Sequence, residues 1–298
     1  MDNIDWLAAL SPWPEEFGLG RMHTLLSDLG DPQLRYPAIH IVGTNGKTST
    51  TLMTAALLRA SGMRVGAYIS PHVRGWAERI QIDGADANLD AALARVRPHA
   101  EGATQFEVLT AAALAEFAAH EVDVAVVEAG LGGRYDASNV LDARVVVLTN
   151  VSLEHTDILG ETREAIAAEK LAVVVPGAHV VIGEPEWRDD ARARGAAAVE
   201  IATSNVALAV AAAEAFLGRR VDPAAAQAVR VPGRLEQRGE HPLEIWDGAH
   251  NLAGIGYLLS RLPDRTYTIV CSILADKNPD AMLATLAAVG DTFVATES

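Results

Sequence analysis

The sequence is poor in lysine, aromatics and cysteine. Of its 24 basic residues only Lys47, Lys170 and Lys277 are lysines. Arginine supplies the positive charge elsewhere, so a position that keeps lysine is one where a compact ammonium, or an amine able to lose its proton, has a use that a guanidinium lacks. Basic residues are also outnumbered by 39 acidic ones, and the formal charge of -15 argues against nucleic acid or an anionic membrane as partner, since both need a basic surplus to displace counterions. No run reaches the ~20 uninterrupted apolar residues of a membrane span. The opening residues, MDNIDWLAALSPWPEEFG, have neither the basic nor the apolar region of a secretory leader. A cytoplasmic protein is expected. The single cysteine, Cys271, lies in the apolar run TIVCSIL with no partner for an intrachain disulfide, so a reduced structural thiol is expected. Aromatics make up 5% of the chain, and alanine carries much of the apolar content.

What remains is ordinary for a globular enzyme. Half the residues are hydrophobic and 21% are charged, far from the disordered class. A length of 298 residues allows two domains of about 100 to 200 residues each. Residues 38–42 (AIHIV) form a short apolar run ending at GTNGKT, and residues 49–61 follow at helical spacing, which is strand, loop, helix. Residues 64–69 read as a second strand, and residues 78–84 (ERIQIDG) as a hairpin strand ending in a turn. Residues 88–97 and 106–120 read as helices. The uninterrupted runs at 123–128 (DVAVVE) and 144–149 (RVVVLT) are the signature of strands buried on both faces of a parallel sheet. Residues 162–170 read as a helix ahead of an apolar strand region at 171–182, and two more helices are expected at 204–217 and 223–229. The fold class is therefore α/β, a doubly wound, mostly parallel sheet. Val231-Pro232-Gly233 reads as a linker, giving domains at 1–231 and 232–298. In the second, residues 243–246, 267–272 and 292–295 read as strands and 252–262 and 279–289 as helices; three strands are few for an independent sheet.

The loop GTNGKTST at 43–50 joins strand to helix as phosphate-binding loops do. Its glycines let backbone amides approach phosphate oxygens, the helix N-terminus adds a positive dipole, and Lys47 can reach the β and γ phosphates. Thr48 or Ser49 can place a hydroxyl on magnesium. The spacing departs from the standard loop, with Ile41 in place of the first glycine. In ISPHVRGWAERI, Ser70 and His72 follow the second strand, at the edge where open α/β sheets bind ligands. In VVEAGLGGRYDASN, Glu128 ends a buried strand, and a carboxylate there needs a partner or a metal; Arg134, Asp136 and Asn139 add polar groups. TNVSLEHTDILG repeats the arrangement, with Asn150 ending a strand and His155 in the loop beyond. Lys170 ends a helix and leads into apolar sequence, so it must pair, deprotonate or be modified. PGRLE offers Arg234, and WDGAHN offers Asp247, His250 and Asn251.

In order, GTNGKTST, SPH with ERIQIDG, FEVLT, VVEAGLGGRYDASN, LEHTDILG, AAEK, PGRLE and DGAHN resemble the folylpolyglutamate synthase and dihydrofolate synthase family of the Mur ligase superfamily. FGLGRM and LLSDLGDP also resemble that family's N-terminal segment, so the likeness runs from about Phe17 to Lys277. It implies a P-loop-containing Mur ligase central domain followed by a Rossmann-like C-terminal domain, here shortened after ADKN. It also implies an ATP-dependent acid–amino-acid ligase that activates a pteroate or folate carboxylate as an acyl phosphate and joins L-glutamate to it. Thr44, Asn45, Gly46, Lys47 and Thr48 would hold the phosphates, with Asn205, Arg234 and Asp247 also on ATP. Ser70, Glu128 and His155 would be magnesium ligands, two ions being expected, and Lys170 would be carbamylated. Thr104, Gln105, Phe106, Glu107, Tyr135, Asp136 and Ala137 would border the pteroate. Lys47, Lys170 and His155 are the candidate catalytic residues. The expected partners are ATP, glutamate and the folate-type substrate, with the protein a monomer. Two departures from the family are the short segment at 183–202 and Leu252 where the family commonly has proline. Two other readings fit the same motifs: a Mur-like ligase acting on a different carboxylate, and a nucleotide-binding homologue without ligase activity.

Overall fold

The structure, a computed structural model, describes residues 1–274 and 277–296. Ala275 and Asp276 of the ADKN segment, with Glu297 and Ser298, lie outside the described residues. The chain divides into two compact units, Met1–Val229 and Arg230–Ser298.

In the first unit α1 (Asn3–Ala8) and α2 (Gly20–Asp28) precede β1 (Ala38–Val42) and α3 (Lys47–Ala60). There follow β2 (Val65–Tyr68), the short strands β3 (Ile80–Ile82) and β4 (Ala85–Asp86), α4 (Leu89–Val96) and α5 (Gln105–Ala119). β5 (Val124–Glu128) and β6 (Val145–Leu148) lead through α6 (Thr156–Leu159) and α7 (Arg163–Lys170) to β7 (His179–Ile182), α8 (Arg188–Ala193), β8 (Ala198–Ile201), α9 (Asn205–Leu217) and α10 (Ala224–Gln227). Among the described residues the eight strands form one sheet in the order β4-β3-β2-β5-β1-β6-β7-β8. It is parallel from β2 to β8, with β3 and β4 antiparallel at one edge.

The central strands are buried at every position because helices cover both faces. Side chains alternate between those faces along a strand. Ala125 and Val127 pack with α4 and α5, while Val124 and Val126 pack with α3 and α9. Buried on nearly all sides from Glu107 to Phe117, α5 needs no polar stripe. Its N-terminus is closed by a capping box in which the Thr104 side chain accepts the Glu107 N–H and the Glu107 carboxylate accepts the Thr104 N–H. Loops leaving the C-terminal ends of β1, β2, β5 and β6 therefore emerge along one edge of the sheet, where an open α/β fold binds ligands.

Two sequence expectations change. Glu78 and Arg79 lie in a 3₁₀ turn, and only Ile80–Ile82 is strand: the Glu78 carboxylate accepts the backbone N–H groups of Val73 and Arg74 and ties the turn down. The apolar stretch 171–182 is strand only from His179, because Leu171–Val173 forms a 3₁₀ turn and Pro176-Gly177 breaks the chain. The segment 183–202 supplies α8 and the edge strand β8, half-exposed and weakly patterned.

The second unit holds β9 (Glu236–Glu240), β10 (Leu243–Trp246), α11 (Leu252–Leu259), β11 (Tyr267–Cys271), α12 (Pro279–Leu286) and β12 (Gly290–Ala295). Its strands are split between two pairs, β9 with β10 antiparallel and β11 with β12 parallel. The strand at 243–246 thus belongs to a hairpin. Ile255, Met282 and Leu286 form its buried cluster.

Candidate active site

The phosphate-loop candidate lies between β1 and α3. Asn150, just past β6, braces it: its Oδ1 accepts the Asn45 N–H at 3.0 Å and its Nδ2 donates to Asn45 O at 3.0 Å. The Thr149 hydroxyl donates to the same Asn45 carbonyl at 2.7 Å. Gly46, the residue before α3, has φ 82°, and no side chain caps the helix. The first N–H groups of α3 are thus available to an anion, with the helix dipole behind them. The Lys47 ammonium folds back on the loop and donates to Gly43 O at 2.9 Å and Thr44 O at 3.1 Å. Asn205, at the start of α9, packs on this loop so closely that a Cβ on Gly46 would lie 2.6 Å from its Oδ1.

Beside the loop, Glu128 Oε1 accepts the Thr48 hydroxyl at 3.0 Å, and Oε2 accepts the Ser70 N–H at 3.1 Å. Glu128 is 1% exposed. Strand geometry explains the meeting: β2 and β5 are parallel neighbours, in register from Val65 with Val124 to Tyr68 with Val127, so the residue ending β5 faces the loop leaving β2. Carboxylate, hydroxyl and backbone oxygens form a hard donor set that fits magnesium, which takes one or two protein carboxylates and completes its shell with water and phosphate. The described residues contain no cluster of three His, Cys, Asp or Glu that could hold a metal, and magnesium needs none. His155 precedes α6 in a left-handed backbone, φ 44° and ψ 46°, a conformation uncommon for a residue with a Cβ and often found at functional sites.

Lys170, at the end of α7, is buried under the loop. Its ammonium lies 2.6 Å from Glu154 Oε1 and donates to Gly43 O at 3.0 Å. Burial lowers the Lys170 pKa to about 8 against the pull of Glu154, with the nearby Lys47 charge lowering it further. Burial also pushes the Glu154 carboxyl up, but Lys170 and Lys47 outweigh it and hold the group below its ordinary range. The loop 130–139 packs onto this helix end. Arg134 N donates to Glu169 O at 3.0 Å and its guanidinium pairs with the Glu169 carboxylate at 2.7 Å. Gly133 is needed there, since a Cβ would lie 2.7 Å from both Glu169 O and Lys170 O.

A pocket of about 520 Å³ opens next to these groups. Thr104, Gln105, Phe106, Glu107, Tyr135, Asp136 and Ala137 all line it, with Ser70 and His155 in the same wall. Several of the polar atoms are already engaged. Besides the capping box, the Glu107 carboxylate accepts Arg21 Nε at 3.0 and 3.2 Å. Asp136 Oδ2 accepts the Leu131 N–H at 2.8 Å, and burial raises its pKa. Trp13 and Phe17, from the segment between α1 and α2, supply exposed aromatic surface to the pocket.

Arg234 and Asp247 lie in the second unit, where the structure brings them together: Asp247 Oδ2 accepts the Leu235 N–H at 2.8 Å, and a Cβ on Gly248 would lie 2.3 Å from Arg234 Nη1. Three residues that the sequence reading left without a role join the site. Arg21 sits in the quoted FGLGRM, Glu154 is the neighbour of His155, and Trp13 lies in an unassigned segment. Only Arg21 and Glu154 fall within segments whose pattern had already drawn notice.

Comparison with known proteins agrees with this geometry. The Mur ligase middle domain matches residues 41–218. The dihydrofolate synthase/folylpolyglutamate synthase of Mycobacterium tuberculosis is 35% identical, over 96% of this chain and 76% of its own. The structure of Mycobacterium tuberculosis folylpolyglutamate synthase complexed with ADP superposes with a TM-score of 0.89 at 34% identity, over 98% of this chain and 80% of that one. An FPGS–AMPPCP–folate complex gives a TM-score of 0.89 at 31% identity, over 98% and 88%. With loop, buried lysine and pocket on one sheet edge, this chain belongs to the dihydrofolate synthase/folylpolyglutamate synthase family of Mur ligases.

Proposed function

We propose that this chain is an ATP-dependent ligase that joins L-glutamate to the carboxylate of a pteroate or folate through an acyl phosphate. One observation carries the reading: Ser70 lines the aromatic pocket and also bonds Glu128, which bonds Thr48 of the phosphate loop. A substrate seated against Phe106 and Tyr135 thus has its reacting end beside the phosphate-binding end. The relatives' names, and the ADP and AMPPCP–folate complexes among similar structures, support the same chemistry.

The substrate carboxylate oxygen attacks the γ-phosphorus, and the bond to ADP breaks. The glutamate amine then attacks the acyl carbon, loses a proton, and phosphate leaves with the C–O bond electrons. Each step gathers anionic charge, so catalysis here is positioning and electrostatics. Lys47 and the N-terminus of α3 hold the transferring phosphoryl group. Thr48, Ser70, Glu128 and His155 would hold magnesium, which when bound neutralises phosphate charge. The apolar pocket wall keeps water from the acyl phosphate.

Lys170 is a candidate for carbamylation. Its buried amine, with a pKa of about 8, keeps a neutral fraction near neutrality, and CO2 adds to neutral amines. The product is an anion beside Glu154, so the modification needs an added cation, a charge that bound magnesium would supply.

The test is ADP release by the purified protein with ATP, magnesium and glutamate, with dihydropteroate, with tetrahydrofolate, and with neither. Folate-dependent ADP release together with the glutamylated product is expected. Absence of such release with every folate would sink the reading in favour of another carboxylate substrate or of nucleotide binding alone.

A further inference from the structure

His40 occupies the middle of β1 between Ile39 and Ile41, fully buried. Its Nε2 lies 2.8 Å from the Ser138 hydroxyl, and Nδ1 has no hydrogen-bond partner among the described residues. Ser138, also fully buried, donates its hydroxyl to Asp136 Oδ1 and its N–H to the same oxygen at 3.0 Å. Asp136 Oδ2 accepts the Leu131 N–H. The carboxylate thus ties Leu131, near the start of the glycine loop, to Ser138 at its end.

The protons can be counted. Burial raises the Asp136 pKa, but the Leu131 and Ser138 N–H groups and the Ser138 hydroxyl all point their protons at its oxygens, so in this arrangement the carboxylate is the acceptor. The single Ser138 proton goes to Asp136, so the Ser138 oxygen is free to accept only, and His40 must carry its proton on Nε2. Burial lowers the His40 pKa to about 4, which keeps the ring neutral with a bare Nδ1. An imidazole with one bond is an expensive core residue where its neighbours are aliphatic. The bond it makes leads to a loop whose residues Gly130 to Gly133, Tyr135, Asp136 and Ala137 line the pocket.

We infer that His40 and Ser138 are positioning residues for the pteroate-binding wall, a buried relay from His40 through Ser138 that fixes the Asp136 carboxylate and with it the glycine loop. This rests on the reading of the pocket as the pteroate site. The relay predicts an effect centred on that substrate: its hydrogen bonds end on Asp136 and the pocket loop, which meets α7 through Gly133 and Arg134.

The experiment measures KM for dihydropteroate, KM for ATP and kcat in the full chain, with calorimetric binding of dihydropteroate alongside. His40→Leu and Ser138→Ala should each raise the dihydropteroate KM and dissociation constant by roughly tenfold, the scale of one lost buried hydrogen bond. KM for ATP, and kcat at saturation, should stay within about twofold. His40→Gln, whose amide N–H reaches the position of Nε2–H, should recover most of the loss. The double variant should be little worse than the poorer single one, as members of one chain are coupled. A folded His40→Leu with wild-type affinity, a parallel rise in KM for ATP, or a His40→Gln no better than His40→Leu would overturn the relay. Should His40→Leu fail to fold, Ser138→Ala carries the same expectation at a turn where only a hydroxyl is lost. A wild-type protein that neither binds nor turns over dihydropteroate removes the ligase reading and the relay's role together; an active wild type with indifferent variants removes the relay alone.

Discussion

Lys47 and Lys170 donate to one acceptor, the Gly43 carbonyl, at 2.9 and 3.0 Å. Two of the chain's three lysines therefore meet at the first residue of the phosphate loop, with Glu154 as the carboxylate that pairs with Lys170 and feels the charge of both. Like charges so close each disfavour the other's protonation, and the buried one yields. Lys170 is the amine pushed down to about 8, by burial first and by Lys47 in addition.

Lys47→Met should raise the Lys170 pKa. A carbamate signal followed by carbon NMR in labelled bicarbonate would then need higher pH to reach its half-maximum; an unchanged or lower midpoint would show that the two charges do not interact. The stability of the unmodified protein in CO2-free buffer carries the same information. Between pH 8 and 10.5 the unfolded lysine keeps a proton that the folded one has given up, so stability rises with pH across that window. The rise is up to roughly 3 kcal/mol, is flat below it, and should vanish in Lys170→Met. Denaturant midpoints at three pH values decide.

Glu154→Gln removes the counter-charge and leaves a buried ammonium. Breaking such a pair costs about 3 to 5 kcal/mol, with the upper end capped because Lys170 can shed its proton instead. A lower denaturant midpoint at pH 7 that recovers towards pH 9 is expected. No loss at pH 7 would mean that Glu154 does not stabilise the lysine. In the wild type the depressed Glu154 pKa gives stability that is present above its ordinary 4.5 and lost as pH falls through the lower folded value.

How far this site was legible in the sequence follows from the range of each interaction. The central strands could be read because uninterrupted β-branched runs such as VAVVE are satisfied only between two helical layers, and β1, β5 and β6 are buried at every position. The glycine loop and Lys170 stood out by composition. Glu154 did not, because its partner arrives from a helix 16 residues on. His40 read simply as part of AIHIV, since nothing local distinguishes a histidine aimed at Ser138, 98 residues away. The edge strand β8 alternates between exposed and intermediate positions and carries little pattern to read. The pairing of β10 with β9 instead of β11 depends on a hairpin turn that apolar periodicity does not report.

Gly46→Ala meets two obstacles at once. The position has φ 82°, in the left-handed region, and the new methyl would lie 2.6 Å from Asn205 Oδ1. The backbone term alone costs roughly 1 to 2 kcal/mol, and the clash displaces either the loop or α9. Nucleotide affinity, measured by calorimetry with ADP, should fall by more than about tenfold, the equivalent of 1.4 kcal/mol. Adding Asn205→Ala should recover only the steric part, because the dihedral remains. Full recovery in the double variant would show that the left-handed conformation is not needed for nucleotide binding.

Glu128→Gln separates metal binding from folding. The amide can reproduce the bonds to Ser70 and Thr48: its oxygen accepts the Ser70 N–H, and its nitrogen donates to the Thr48 oxygen once that hydroxyl turns, in place of the present contacts at 3.1 and 3.0 Å. The shape is kept and only the charge is lost, so the unfolding free energy of the metal-free protein should change by no more than about 1 kcal/mol. Magnesium loses a carboxylate from a shell in which the protein provides only one or two. The magnesium concentration for half-maximal ADP release should therefore rise by at least about tenfold, and kcat should stay reduced at saturating magnesium, because transition-state charge is then less well compensated. If the magnesium requirement is unchanged while stability falls, Glu128 is a structural carboxylate, and the metal site must be sought elsewhere along the sheet edge.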